Sequence, residues 1–481
     1  MLFNSFEFAV FLPIVLILYW IAFSRSARSQ NILLLIASLF FYGCFDLHFL
    51  ALLIFIALFN FKIGLVIAKG KTEKRKKMFL WIALLFNIGI LGYFKYFDFF
   101  YSAFLKILGE SAHSFHILLP LGISFFIFQL IGYVVDIYNE EIEPCYSPLN
   151  FVTYIAFFPK LFAGPIERAQ NFLPQIEKKR DFNYAIIADG LRQFLWGLFT
   201  KVVIADNSAA IANNIFDNYS IYSGSTLLLG AFFYAFQVYC DFSGYSNMAI
   251  GVSKLFGIEL MQNFATPFFS TNIGDYWKKW HISLSSWMMN YVFTPLSFTF
   301  RKLKKTGLII SIITTFVIVG LWHGANWTFI VFGLLHGFYF IPLILKNSMS
   351  KSSIVAQGKS LPSIKEFLQM LCLFTLVMLT MIVFRTETVS LGIKYFIKLF
   401  SRDFFTAPVI SDKLKTFITL FFIVFLIVVE WIQREKQHAL QFEKVSSVYF
   451  SKPVRWSIYC LLILFVFCFK GNEQDFIYFK F

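Results

Sequence analysis

The sequence predicts an all-α, polytopic membrane protein with about eleven spans and additional re-entrant or interfacial helices. Two observations carry this. The 481 residues are 58% hydrophobic and only 14% charged, with 67 phenylalanines and a mean hydropathy of +0.69. This apolar content is also partitioned into segments of near-membrane length separated by short basic loops. A soluble domain of this size does not need so much apolar surface. The chain therefore reads as a single integral membrane domain over residues 1–481, in contact with the lipid bilayer.

The apolar segments run over residues 6–22, 32–44, 49–68, 78–93, 117–138, 151–163, 186–205, 227–240, 248–260, 287–300, 308–322, 327–345, 367–384, 417–432 and 456–469. Several fall short of the ~20 residues that a spanning helix needs, which is why fewer spans than segments are expected. The first twenty residues lack a basic start and a small-residue cleavage site, so they predict a retained helix. Residues 346–365 read as a connecting loop. The formal net charge of +15 sits in loops such as residues 69–77, K-G-K-T-E-K-R-K-K. That placement predicts a positive-inside topology with an outward N-terminus and contact with anionic lipid, not a nucleic-acid groove. The six cysteines show no C-x-x-C spacing and lie mostly in apolar runs, so neither a disulfide framework nor a zinc site is expected.

Two histidines stand out in this setting. An ionisable residue inside a membrane segment is costly and points to function. His281 lies in W-K-K-W-H-I-S-L-S-S-W, where Trp280, Leu284, Trp287 and Tyr291 follow helical spacing and predict one aromatic stripe at a membrane interface. Trp277, His281 and Ser285 follow at i, i+4 and i+8 on another face. An interfacial helix with an incidental histidine is the alternative. His323, in L-W-H-G-A-N-W, follows the apolar run 308–322 and precedes another beginning at Thr328. Unperturbed imidazole titrates near about 6.5, and desolvation favours the neutral form that accepts a proton. A neutral histidine at depth suits general-base catalysis on a hydroxyl. Trp322 flanks it, Gly324 removes bulk beside it, and Asn326 is a candidate to orient substrate. A buried histidine satisfied by a helix neighbour remains the alternative.

Of the other histidines, His48, His113, His116 and His438 read as loop or interface residues. His336 follows His323 by thirteen residues, which on one continuous helix places it near the opposite face. A shared metal site is not expected, and the carboxylates for a metal cage are missing nearby. Residues 237–251, Q-V-Y-C-D-F-S-G-Y-S-N-M-A-I-G, collect Asp241, Ser243, Tyr245 and Asn247 in apolar surroundings. They suit either a polar tunnel or a helix break capped by Asp241 and Ser243. Pro159, Gly164 and Pro165 in F-F-P-K-L-F-A-G-P-I-E-R interrupt helix, which membrane proteins tolerate only where protein or a cavity covers the backbone.

These motifs together, with the closing F-I-Y-F-K-F, resemble the membrane-bound O-acyltransferases, in particular the bacterial branch that modifies alginate, peptidoglycan and teichoic acids. The resemblance covers nearly the whole chain. It implies a funnel-shaped helical fold with a central tunnel in a bacterial cytoplasmic membrane, and passage of an acyl group to a hydroxyl acceptor. It places His323 on the family's catalytic histidine and His281 on its second histidine. His336 falls on a further histidine of this branch, with a structural role. Where the branch commonly shows R-D-Y and a Pro-Leu-Gly-Gly turn, this chain has Met289, Asn290, Tyr291 and then T-P-L-S-F; where S-D-M is common it has Ser246, Asn247, Met248. These departures leave the acceptor polymer open.

The resemblance further implies acetyl-CoA as the acyl donor, with no bound cofactor or metal, a cell-envelope polysaccharide as acceptor, and an extracytoplasmic acetyltransferase as partner. Trp277 and Trp280 would form the donor-facing surface, Lys278 and Lys279 would meet the donor's phosphates, and Asn326 would serve as an oxyanion group. Tyr478 would act as an acyl relay; interfacial anchoring by an aromatic tail is its alternative. The competing functions are D-alanyl transfer to teichoic acid, a transporter or flippase of a lipid-linked sugar or acyl carrier, and a non-catalytic scaffold. A transporter would be expected to show internal repeats, and none is evident.

Overall fold

A computed structural model describes residues 1–110, 115, 117–349, 355–442 and 451–479. His113 and His116, part of the 346–365 loop, and the last two residues of F-I-Y-F-K-F lie outside the described residues. Among those described, the regular structure is entirely helical. Among the described residues nine helices are long and apolar enough to cross a membrane, and Phe6–Ala22 and Ile123–Tyr138 are shorter apolar helices.

Two differences from the segment pattern bear on the site. Segments 227–240 and 248–260 belong largely to one continuous helix, Gly224–Leu255, so Asp241 and Ser243 do not cap a break. The Asp241 side chain finds partners elsewhere in the protein instead of competing for the helix ladder. Segment 287–300 is not one span but a succession of short turns, Ile282–Met288, Met289–Phe293 and Thr294–Thr299.

The chain divides into two compact units. The first comprises Met1–Phe194 and Met248–Met261. Its helices Ala27–Gly43, Leu47–Ala68, Glu73–Leu91 and Ile123–Tyr138 bury several polar residues as hydrogen-bonded pairs. Asn60 and Asn87 exchange amide hydrogen bonds of 3.1 and 2.7 Å between neighbouring helices. Arg180 donates to the Tyr19 hydroxyl at 2.8 Å and to Asn31 Oδ1 at 2.7 Å. The Pro/Gly-interrupted stretch is buried throughout residues 151–167, which supplies the cover such backbone requires. A Cβ on Gly164 would lie 2.3 Å from Lys160 Cα, so that turn closes only around glycine. Lys160 donates to Gln129 and packs over the Tyr154 ring.

The second unit comprises Leu195–Asn247 and Gln262–Phe481 and holds both signature histidines. Its centre is a hairpin of Lys304–His323 and Trp327–Tyr339. Glycines bring these helices together: a Cβ on Gly320 would sit 2.1 Å from the Phe329 carbonyl oxygen, and one on Gly333 2.2 Å from that of Phe316. Close approach through small residues is how helices associate where lipid removes the hydrophobic incentive. The hairpin also corrects the continuous-helix geometry expected for His336, because Gly324–Asn326 separates His323 and His336 onto different helices.

Candidate functional site

His281 does not sit mid-helix. The aromatic stripe and the i, i+4, i+8 face expected around it are broken, because Ile273–Lys279 ends just before it and Ile282–Met288 begins after it. His281 is the residue between, fully buried, with φ +44° and ψ +55°. A left-handed backbone at a non-glycine residue costs on the order of 1–3 kcal/mol and persists only where the surroundings impose it. Asn263 imposes it here. Its carbonyl oxygen accepts from Ile282 N at 2.9 Å, while its side-chain Oδ1 lies 3.0 Å from His281 Nδ1 and accepts from Ser283 Oγ at 3.0 Å. Asn263 Nδ2 in turn donates to Ser246 Oγ at 3.1 Å.

His323 ends Lys304–His323 and is also buried. Its ring lies 5.1 Å from Trp322 and 5.1 Å from Phe384, centroid to centroid. Trp322 is shared with the first histidine, at 5.4 Å from His281. Burial first, and neighbouring His323 second, hold the His281 imidazole well below its ordinary titration range, so it is neutral.

The third participant arrives from the far end of the chain. After Lys452–Phe469 the tail turns back into this unit, burying Phe476 and Ile477. The Tyr478 ring packs 4.4 Å from Phe242, 5.7 Å from Trp322, 5.7 Å from His323 and 6.3 Å from His281. Burial raises the Tyr478 phenol well above its usual value, with Tyr234 and Asp241 adding to the effect. The phenol is therefore held in its protonated form.

Other predicted residues divide into those that join this cluster and those that do not. Tyr245 joins through Phe476, whose ring is 4.7 Å away. Asp241 joins through its Oδ2, which accepts from Ile477 N at 2.8 Å. Ser243 lines a separate small polar pocket with Trp196, Asn247 and Glu430. Trp277 and Trp280 are buried core residues, not an interfacial surface. Trp277 Nε1 donates to His336 Nδ1 at 3.2 Å, and Trp280 stacks on Tyr276 at 5.5 Å. Lys278 is exposed and Lys279 half-buried. Trp277 and Lys278 line a mostly apolar cavity of about 360 Å³ with Ser285, Phe316 and Val319. Asn326 is a helix cap: its Oδ1 accepts from Thr328 N at 3.1 Å and its Nδ2 donates to the Glu387 carbonyl at 2.8 Å. His438 is buried instead of lying at a surface.

Sequence reasoning missed Asn263, Lys201 and Asp206. Nothing in the sequence singles out Asn263. Lys201 and Asp206 carried a readable signal, since both lie in or beside an apolar segment where charge is rare. Asn263→Ala is expected to lower unfolding stability by about 1–3 kcal/mol, the cost of leaving buried partners unsatisfied. Thermal unfolding in detergent checks this.

Comparison with known proteins identifies the family. Residues 34–386 match the membrane-bound O-acyltransferase family model. A peptidoglycan O-acetyltransferase of Helicobacter pylori is 31% identical over 100% of this chain and 98% of its own length. A probable alginate O-acetylase of Azotobacter vinelandii is 35% identical over 83% of this chain and 77% of its own. A teichoic acid D-alanyltransferase of Bacillus subtilis is 32% identical over a shorter match, 42% of this chain and 53% of that one. A multi-pass helical membrane protein with two buried histidines facing a shared aromatic pocket, this chain belongs to the membrane-bound O-acyltransferase family and is an acyltransferase.

Proposed function

We propose that this protein takes an acetyl group from cytoplasmic acetyl-CoA and passes it across the bacterial cytoplasmic membrane for O-acetylation of a cell-envelope polysaccharide. The convergence of His281, His323 and Tyr478 on one buried aromatic pocket carries this reading. Peptidoglycan and alginate-like polymers are the acceptor classes named by relatives that match most of the chain. An extracytoplasmic acetyltransferase would complete delivery.

In this scheme the donor approaches past the cavity lined by Trp277 and Lys278, where Lys278 and Lys279 meet its phosphates. His323 accepts the proton of the Tyr478 phenol as the phenolic oxygen attacks the thioester carbonyl. The C–O bond forms and the C–S bond breaks. The imidazolium returns its proton to the departing sulfur, which leaves CoA–SH and an acetyl ester on Tyr478. A hydroxyl of the partner or polymer then attacks that ester, and the phenol re-forms with the hydroxyl's proton. Held by Asn263, His281 shapes the pocket beside Trp322 and contributes a neutral imidazole.

Sidedness tests the proposal. Oriented vesicles given labelled acetyl-CoA on their cytoplasmic face should transfer label to an acceptor on the opposite face, and the same donor on the other face should transfer none. Equal transfer from both faces, or none from either, would overturn it.

A further inference from the structure

We infer that Lys201, Asp206 and Asp241 form a buried charged latch that seats the C-terminal tail and thereby positions Tyr478. Lys201 Nζ donates to Asp206 Oδ1 at 2.6 Å and to the Gln474 carbonyl in the tail at 3.2 Å, and it pairs ionically with Asp241 Oδ1 at 2.8 Å. The second oxygen of Asp241 accepts from Ile477 N at 2.8 Å. The triad thus grips the tail at two points three residues apart, and the second lies one residue before Tyr478.

The neighbouring contacts extend the same seat. Asn207 Nδ2 donates to the Phe469 carbonyl at 2.9 Å, and Gly471 N donates to the Val202 carbonyl at 2.8 Å. A Cβ on Gly471 would stand 2.8 Å from Asp206 Cβ, so the tail passes the triad at a distance only glycine allows. Irregular backbone at such a place needs its polar groups satisfied from within the protein, and the triad with its neighbours supplies donors and acceptors.

Energetics argue that the charges are there for the tail and not for the helices. All three groups are buried, on helical segments within Tyr184–Asp217 and Gly224–Leu255. A buried ion cluster contributes little stability that well-packed apolar residues would not also provide, whereas losing one member leaves a buried charge uncompensated. What apolar residues cannot provide is a directional hold on the Gln474 carbonyl and the Ile477 amide. Lys201, Asp206 and Asp241 are positioning residues in this account; none is assigned contact with the reacting atoms.

The functional consequence rests on the proposed role of Tyr478, but the seating does not, and the two are tested apart. Hydrogen exchange of residues 470–478, read by mass spectrometry on the full chain in nanodiscs, reports seating directly. Lys201→Met should raise tail exchange by about tenfold or more, as expected when a local unit opens, while the helix Lys304–His323 keeps its protection. Lys201→Arg should keep most of the tail protection. A neutral triple variant, Lys201→Met with Asp206→Asn and Asp241→Asn, leaves no uncompensated charge in the triad and so serves where the single variant does not fold; it should also release the tail. Acetyl transfer should fall through kcat, with the KM for acetyl-CoA changed by less than about twofold, because donor contacts remain. Tail exchange unchanged in both Lys201→Met and the triple variant would overturn the latch. A released tail with full transfer would uphold the latch and overturn the relay role of Tyr478.

Discussion

Replacing His323 with alanine is expected to lower acetyl transfer from acetyl-CoA by about 10²–10⁴-fold, the range that a positioned general base contributes. The imidazole is buried at the end of Lys304–His323, with Trp322, Phe384 and Tyr478 around it. His281, the other imidazole near the Tyr478 ring, is held by Asn263 at Nδ1. His281→Ala should therefore reduce transfer less than His323→Ala. The measurement is label recovered on acceptor in proteoliposomes reconstituted with each variant, with thermal unfolding as a control for folding. Transfer by His323→Ala at the parental rate would remove the catalytic assignment. Movement of a lipid-linked carrier without any acetyl transfer would instead favour the transporter class.

The membrane character and most of the helices were legible in the sequence because hydropathy and length alone decide whether a helix can cross a bilayer. The signature histidines were legible for a related reason, since charge-bearing groups are rare in such segments. The local geometry of His281 was not. Helical spacing in W-K-K-W-H-I-S-L-S-S-W suggested a continuous helix, but the left-handed turn at His281 is imposed by Asn263, eighteen residues earlier in the chain. Periodicity is a local signal and cannot register a break enforced from a distance.

The same limit explains the segment around Asp241. A dip in hydropathy reads equally as a helix break or as a polar site, and the choice depends on whether a partner exists elsewhere. Its partner is Lys201, in a different helical segment, and a second partner is Ile477 N, 236 residues away in sequence. Asn326 shows a residue with two readings: it stands beside a signature histidine, and its Oδ1 also caps the helix Trp327–Tyr339 while its Nδ2 bonds to the Glu387 carbonyl.

Tyr478→Phe should abolish capture of the acetyl group on the chain while leaving the fold intact. The ring remains to pack against Phe242 at 4.4 Å and Trp322 at 5.7 Å, so only the oxygen is lost. That oxygen is the proposed nucleophile, and phenylalanine has no group to replace it. With labelled acetyl-CoA and no acceptor, the parental protein should accumulate a hydroxylamine-labile acetyl ester on the peptide containing Tyr478, and the variant should show none. Transfer to an added acceptor should fall by at least about 10²-fold in the same variant, comparable to loss of the base, because nucleophile and base act as one unit. Tail exchange should stay at the parental level, which separates this effect from loss of seating. A variant that lacks the ester but transfers at the parental rate would show that the acceptor hydroxyl attacks the thioester directly, with His323 as its base and the tail as a wall of the pocket.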